Sequence, residues 1–264
     1  MNSVNKTLYI PLYGKAYVSK KGILLQDPKA EQIWAAEGFP LKGMSSSKWL
    51  AYYMGMRSAV FDRWLEEKAA SCPGACILHL GCGMDSRFLR VGTRGHLWFD
   101  VDFPDVIAER RRYYPETPEY RMLPSDIRDL QWLDALPACE TAIVVMEGIS
   151  MYLSPEELQT VLRALQARFP RLHLLVDCYT ELAARASKYK NPINDVGVTR
   201  VYSLDDPLEL QTGTGLTFVR EHEMTPASLV CQLHGTERII FQKLFAGSLA
   251  RKMYRLYEYQ FCTN

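Results

Sequence analysis

The sequence lacks both the apolar segments that would insert it into a membrane and an excess of one charge. Residues 1–6 contain no apolar signal core, and no long uncharged apolar run occurs among the 264 residues. Lysine and arginine outnumber aspartate and glutamate by only 31 to 30, so nothing predicts binding to nucleic acid or to an anionic membrane. We therefore expect a cytoplasmic protein whose partners are small or have a neutral surface.

The cysteines lack the spacing of a metal site or of a disulfide framework. Seven are present, an odd number, and Cys72 and Cys76 are too far apart in sequence to form a Cys-x-x-Cys pair. The five histidines are dispersed along the chain. We therefore expect free thiols in a reducing compartment and no bound metal.

Short apolar runs alternate with helical patterns, as an α/β fold requires. Four runs lie between about residues 76 and 177, and two more follow near the end of the chain. They are Cys76–Leu80, Leu97–Phe99, Ala142–Met146, Leu172–Val176, Leu216–Val219 and Tyr254–Phe261. Because the first four runs are apolar on both faces, they predict parallel strands covered by helices on each side.

Three helices between or before these runs have readable ends. Ser154 and Glu157 predict a capping box that opens a helix with one buried apolar stripe. Asp105–Tyr114 predicts a second helix, and its run Arg110–Arg112 is interpreted as a solvated face rather than as a phosphate patch. Short helices are also expected to begin near Thr225 and Thr236.

A third, longer helix is predicted over Ser47–Ala70, and its apolar face contains one arginine. Arg57 lies seven residues after Leu50, nearly two full turns, so both side chains share that face. A guanidinium among apolar side chains is costly unless an anion meets it. The anion could be a ligand or a structural carboxylate, or Arg57 could extend to solvent; the pattern leaves these alternatives open.

The first core run ends in a glycine motif. Gly81 and Gly83 allow a sharp backbone turn and a close approach by a ligand. A helix is expected over about Met84–Arg90, with its N-terminal amides directed at the same crevice. By itself a Gly-x-Gly pair is weak evidence, since tight strand-to-helix turns use it structurally.

The carboxylates after the second run sharpen this interpretation. Asp100 and Asp102 lie near the distance at which nucleotide-binding α/β folds place a ribose-binding carboxylate, and alternation along the strand favours Asp102. A dinucleotide site would place a third glycine at position 86, where this chain has Ser86. A ligand with adenosine but no pyrophosphate therefore fits better than a nicotinamide or flavin cofactor.

Two further polar positions follow the third and fourth runs. Asp126 and Ile127 could meet adenine, although a helix N-cap at Ser125 or Asp126 is the more conservative interpretation. Glu147 ends the fourth run beside the crevice, where a lone carboxylate could also bind a backbone amide.

Several of these segments together resemble the leucine carboxyl methyltransferase family. They are Leu80–Arg87, Trp98–Pro104 and Glu147–Leu153, with Gly14–Tyr17 and Asp27–Pro28 similar to its opening segment. The resemblance implies a Rossmann-like class I S-adenosylmethionine-dependent methyltransferase, an α/β fold with a seven-stranded, mostly parallel sheet and helices on both faces. It also implies one domain, with a helical cap over 1–72, a core over 73–264 and a lid insertion near 186–212.

The resemblance also assigns binding roles by position, beginning at the glycine motif. It implies that Gly81, Cys82 and Gly83 line the methionine part of S-adenosylmethionine. Asp102 would hold the ribose hydroxyls, and Phe103, the next residue of that motif, belongs to the same binding set.

The remaining roles fall on residues from other parts of the chain. Asp126 and Ile127 would flank adenine, and Glu147 would lie near the methionine ammonium group. Lys15 and Arg57 match the basic residues that meet the methionine carboxylate. No catalytic residue follows from the resemblance.

The absence of a recognisable base bears on the acceptor. A carboxylate is already ionised at neutral pH, whereas a phenol or an alcohol needs a base, so carboxyl methylation of a small acidic or polyketide-like molecule is mildly favoured. Methylation of a protein C-terminal leucine and a non-catalytic cofactor-binding sensor remain alternatives. Five residues could line a lid over an anionic substrate, although a solvated loop is favoured: Lys188, Tyr189, Lys190, Arg200 and Tyr202.

Overall fold

The computed structural model describes residues 8–38, 41, 43–187, 201–247 and 252–263. Within these residues, seven strands form one sheet. In chain order they are β1 (Cys76–Leu80), β2 (Leu97–Asp102), β3 (Tyr120–Pro124), β4 (Thr141–Met146), β5 (Arg171–Tyr179), β6 (Thr217–Glu221) and β7 (Tyr254–Cys262). All six predicted runs are strands, and β3 is the strand that lies between the second and third of them.

The order of the strands across the sheet is β3-β2-β1-β4-β5-β7-β6. Strands β1 to β5 are parallel, and β7 is antiparallel to both of its neighbours. The chain leaves β1 toward β2 on one side and returns to β4 on the other, so a crevice opens where the carboxyl ends of β1 and β4 diverge. The predicted Rossmann-like class I fold is confirmed.

Ten α-helices are described, and they cover the sheet and its carboxyl edge. They are α1 (Tyr9–Lys20), α2 (Pro28–Glu37), α3 (Lys48–Ser71), α4 (Arg87–Val91), α5 (Pro104–Arg110), α6 (Pro155–Arg168), α7 (Glu181–Ser187), α8 (Pro207–Thr214), α9 (Ala227–Val230) and α10 (Gly235–Leu244). None of the helices in this described part of the chain is both long and apolar enough to cross a membrane.

The two faces of the sheet bury separate apolar cores. Leu78, Val144 and Leu174 face the core that contains the apolar stripe of α6. Ile77 and Ile143, their neighbours in sequence, face the core that contains α1 and α3. This alternation on parallel strands explains why the sequence shows unbroken apolar runs.

Helices α1 and α3 pack closely because small residues lie at their crossing. A β-carbon on Gly14 would lie 2.7 Å from the Met54 β-carbon, and one on Gly55 would lie 2.8 Å from a Val18 methyl group. The start of α3 agrees with the sequence, since the Trp49 N–H donates to the Ser47 hydroxyl. The Ser154 capping box at the start of α6 is also present.

Three local expectations are wrong. Cys76 and Cys139 form a disulfide, because β4 lies beside β1 and brings Cys139, two residues before β4, next to Cys76; Cys72, Cys82, Cys178, Cys231 and Cys262 are free. Helix α4 begins at Arg87 rather than near Met84, because positive φ angles at Gly81 and Gly83 delay the helix. Helix α5 ends at Arg110 rather than Tyr114.

Candidate cofactor site

The glycine motif forms a tight turn at the end of β1. Gly81 has φ +68° and Gly83 has φ +51°, a region of backbone conformation that favours glycine. A β-carbon on Gly81 would also lie 2.1 Å from a methyl group of Ile149. Gly81 is therefore required both by its backbone conformation and by the residue packed against it.

Asp102 lies beside this turn with unused acceptor capacity. Its carboxylate accepts from the backbone N–H groups of Gly83 at 2.7 Å and Phe103 at 2.8 Å. A carboxylate offers about four acceptor positions, so Asp102 can still accept from two hydroxyl groups. Burial raises the pKa of Asp102 to about 6 despite the two backbone donors. Phe103, next to it, is 38% exposed and can contact a ligand at this edge.

Asp100 points away from the crevice, as strand alternation predicts. It is fully buried and accepts from Arg110 at 2.5 Å, Tyr120 at 2.5 Å and Trp98 at 2.9 Å. The expectation that Arg110 is solvated is therefore wrong, because the buried Asp100 requires a cation. Arg110 also donates to the Gly83 carbonyl at 3.0 Å, and this hydrogen bond stabilises the glycine turn.

Helices α1 and α3 contribute two buried cations to the crevice. Lys15 Nζ lies 3.2 Å from Asp85. Arg57 Nε donates to Glu147 at 2.9 Å, and its Nη1 donates to Asp177 at 3.1 Å. The anions that Arg57 requires are thus present in the chain itself, which is the structural-carboxylate alternative left open by the sequence. Contact between Arg57 and a ligand carboxylate stays a prediction.

Glu147 is held as an anion. It accepts from Arg57, from the Ser58 hydroxyl at 3.0 Å and from Arg87. Burial opposes ionisation, but the guanidinium groups of Arg87 and Arg57 outweigh it and hold the pKa of Glu147 at about 2. A permanent negative charge at the end of β4 fits the predicted role beside an ammonium group.

Two residues of this cluster received no role from the sequence. Arg87 is fully buried and donates to Asp62 at 2.6 Å as well as to Glu147. Asp177 lies within β5, fully buried, and is discussed below. Two features of the sequence could have pointed to these residues. Arg87 belongs to the segment that contains the glycine motif, and Asp177 directly follows an apolar run.

Ser86 and Cys82 have structural surroundings. The Ser86 hydroxyl donates to Asp27 at 2.5 Å, and Asp27 in turn caps α2 by accepting from the Ala30 N–H at 2.9 Å. Ser86 stands where a dinucleotide-binding fold needs glycine. In this chain its side chain instead links the glycine motif to the start of α2. Cys82 is buried within the turn, and this burial raises the pKa of its thiol well above the usual range.

Asp126 and Ile127 follow β3 at the far side of the same edge. Asp126 is partly exposed and accepts from the backbone N–H of Arg128 at 3.0 Å and from its guanidinium. A hydrogen bond from Arg128 lowers the pKa of Asp126. Ile127 is buried. The helix N-cap interpretation is wrong, because the next helix is a 3-10 helix over Leu130–Ala135, capped by Asp129.

Around the crevice, the structure therefore brings together a glycine turn, a carboxylate with free acceptor capacity and an ionised carboxylate among buried cations. This chemistry fits S-adenosylmethionine, whose ribose needs an acceptor and whose methionine part carries both an ammonium and a carboxylate group. The sheet order and this site define a class I S-adenosylmethionine-dependent methyltransferase.

Comparison with known proteins identifies the family. Residues 10–166 match the leucine carboxyl methyltransferase family. The chain is 27% identical to the tetracenomycin polyketide synthesis O-methyltransferase TcmP of Streptomyces glaucescens, over 99% of this chain and 98% of that protein. It is 32% identical to the S-adenosyl-L-methionine-dependent methyltransferase dpfgK of Gibberella zeae, over 80% of this chain and 79% of that protein. The chain belongs to the leucine carboxyl methyltransferase family.

Solved structures agree on the fold. Magnesium protoporphyrin IX methyltransferase of Synechocystis, crystallised with bound S-adenosylhomocysteine, has a TM-score of 0.52 at 13% identity over 89% of this chain and 93% of that one. An S-adenosylmethionine-dependent methyltransferase of Mesorhizobium loti has a TM-score of 0.52 at 16% identity over 75% and 97% of the two chains. These structures confirm the fold, and the family match with the sequence relatives TcmP and dpfgK confirms the predicted enzyme class, an S-adenosylmethionine-dependent O-methyltransferase.

Proposed function

We propose that the enzyme methylates an oxygen of a small acidic molecule, with a carboxylate as the acceptor. The observation that carries the cofactor half of this proposal is the pairing of Asp102, which has free acceptor positions, with the ionised Glu147 across the glycine turn. When bound, S-adenosylmethionine supplies a methyl group on a positively charged sulfur. Transfer to an oxygen is supported by the O-methyltransferase TcmP, which matches nearly the whole chain.

Each part of the cofactor has a residue of suitable chemistry. Asp102 would accept from the ribose hydroxyls, and Glu147 would face the ammonium group. Lys15 and Arg57 would hold the carboxylate. Asp126 and Ile127 would border adenine at the end of β3. Within this arrangement the protein acts by holding two reactants in line, which supplies much of the acceleration of a displacement reaction.

No general base for the acceptor is identified among the described contacts of Glu147 and Asp177. Their hydrogen-bonding and ionic partners among the described residues are guanidinium, hydroxyl and backbone groups, and no histidine is among them. A carboxylate acceptor needs only a cation to hold it and no base. Lys188, Tyr189, Lys190 and Arg200, which were predicted to line a lid, lie outside the described residues; Tyr202 donates its backbone N–H to Met151 at 2.8 Å.

A product assay tests the proposal. The purified enzyme is incubated with methyl-labelled S-adenosylmethionine and a panel of small carboxylates, phenols and a peptide that ends in leucine. We expect label in base-labile methyl esters of small carboxylates. Label only in the peptide would support the protein-directed alternative, and binding without transfer to any acceptor would support the sensor. Tighter binding of a nicotinamide dinucleotide than of S-adenosylmethionine would contradict the assignment of the cofactor.

Asp102 provides a prediction about affinity and pH. Asp102→Asn is expected to weaken binding of methylthioadenosine, which retains the ribose, by about 1–3 kcal/mol, because the hydroxyls lose a charged acceptor. In the parent, affinity should fall as the pH drops through about 6, since the carboxylate is then protonated. Calorimetry at several pH values measures both effects. The exposed neighbour Asp105 is the matched control, and an equal loss in Asp105→Asn would remove Asp102 from the site.

A further inference from the structure

Asp177 lies level with Glu147 at the carboxyl edge of the sheet. Met146 pairs with Val176 in the parallel register of β4 and β5, so the next residues, Glu147 and Asp177, lie side by side. Both carboxylates contact Arg57, Glu147 at Nε and Asp177 at Nη1. Asp177 is fully buried, so it acts on a ligand only through the groups that it holds.

The Tyr254 hydroxyl contacts both Arg57 and Asp177. Arg57 Nη1 donates to the Tyr254 hydroxyl at 3.1 Å, and that hydroxyl donates to Asp177 at 3.0 Å. The three polar groups form a closed triangle with sides of about 3 Å. The backbone N–H of Gly148 donates to the second oxygen of Asp177 at 2.7 Å, so this carboxylate is fixed at both oxygens.

Aromatic packing fixes the tyrosine ring. Tyr254 is the first residue of β7 and pairs with Tyr179 across the antiparallel register. Its ring packs edge-on against Tyr179 at 4.9 Å and against Tyr53 at 6.2 Å between centroids. The ring therefore has little freedom, and its hydroxyl stays directed at Arg57 and Asp177.

These contacts leave one end of the Arg57 guanidinium available. Of its five N–H donors, Nε uses one on Glu147 and Nη1 uses two on Asp177 and Tyr254. Nη2 donates to no group among the described residues. A β-carbon on Gly148 would lie 3.5 Å from Nη1 and 3.6 Å from Nη2, so the guanidinium passes close to the Gly148 backbone.

We propose that Asp177 and Tyr254 are positioning residues that hold Arg57 Nη1 and so present Nη2 to the carboxylate of the cofactor's methionine. This inference rests on the proposed role of Arg57 toward S-adenosylmethionine. It gives the C-terminal strand a part in binding the cofactor, through a residue 197 positions from Arg57.

Tyr254→Phe tests the proposal with the smallest change. It removes one hydroxyl and keeps the ring, and affinity for S-adenosylmethionine is expected to fall about 3- to 10-fold, as for the loss of one hydrogen bond. Methylthioadenosine, which lacks the carboxylate, should bind the variant as tightly as the parent. Tyr53→Phe is the matched control, because the Tyr53 ring packs on Tyr254 but its hydroxyl donates to neither Arg57 nor Asp177 among the described contacts.

The pH profile gives a second measurement. Burial raises the pKa of Asp177 to about 6, with Arg57 and Tyr53 facing it from α3, Glu147 from the position directly after β4, and Tyr254 from β7. Protonation should release Nη1, so the ratio of affinities for S-adenosylmethionine and methylthioadenosine should fall below about pH 6. Taking the ratio cancels the contribution of Asp102, which both ligands use.

Asp177→Asn should lower the ratio of affinities for S-adenosylmethionine and methylthioadenosine at neutral pH, and it should abolish the pH dependence of this ratio. Melting curves report whether the variant is folded. An unchanged ratio in Tyr254→Phe, with the parent binding normally, would overturn the positioning role. Failure of the parent to bind S-adenosylmethionine at all would instead overturn the proposed function.

Discussion

Arg57→Met is expected to lower the free energy of unfolding by about 3–5 kcal/mol in the absence of ligand. The change removes the cation that Glu147 and Asp177 share, and it leaves both carboxylates buried. Glu147 keeps Arg87, so Asp177 bears most of the loss. Affinity for S-adenosylmethionine should also fall, while affinity for methylthioadenosine should change little, because only the former has a carboxylate for Nη2.

Thermal and denaturant unfolding with each ligand measures both effects. Arg94→Met is the matched control, since the Arg94–Glu66 pair is exposed and its loss should cost less than about 1 kcal/mol. Equal stability of the Arg57 and Arg94 variants would show that the buried pairs contribute little. Equal losses of affinity for both ligands would show that Arg57 does not meet the carboxylate.

Gly81→Ala is expected to lower the free energy of unfolding by about 2–4 kcal/mol and to abolish measurable cofactor binding. The positive φ angle costs about 1 kcal/mol for a residue with a β-carbon. Overlap with the Ile149 methyl group, 2.1 Å away, adds about 1–3 kcal/mol. Relief of that overlap displaces Ile149 or the glycine turn, and the turn is the surface on which the methionine part would rest.

A matched glycine separates these two contributions. Gly74 has φ +75°, and no atom of the described residues lies within 4 Å of the position of an added β-carbon, so Gly74→Ala reports the backbone cost alone. Adding Ile149→Ala to Gly81→Ala should restore part of the lost stability. If Gly81→Ala and Gly74→Ala lose the same stability, packing of Ile149 against Gly81 is unimportant.

Local patterns predicted much of the fold because each depends on neighbouring residues. The capping box at Ser154, the Ser47 cap of α3 and the apolar strands could all be read from short segments. The burial of Arg110 could not, because the charge that it meets, Asp100, lies on β2, a separate element. The disulfide was missed for a similar reason, since only the pairing of β1 with β4 brings Cys139 to Cys76.

The candidate site divides in the same way. By itself the sequence determined the glycine turn, the preference for Asp102 over Asp100 and the presence of a cation on the inner face of α3. These follow from backbone conformation, strand alternation and helical periodicity, which act over a few residues. Only the tertiary structure decided which polar groups meet Arg57. Glu147, Asp177 and Tyr254 lie 90, 120 and 197 residues away in sequence, and the buried cation selects them only after the sheet has placed β4, β5 and β7 beside α3.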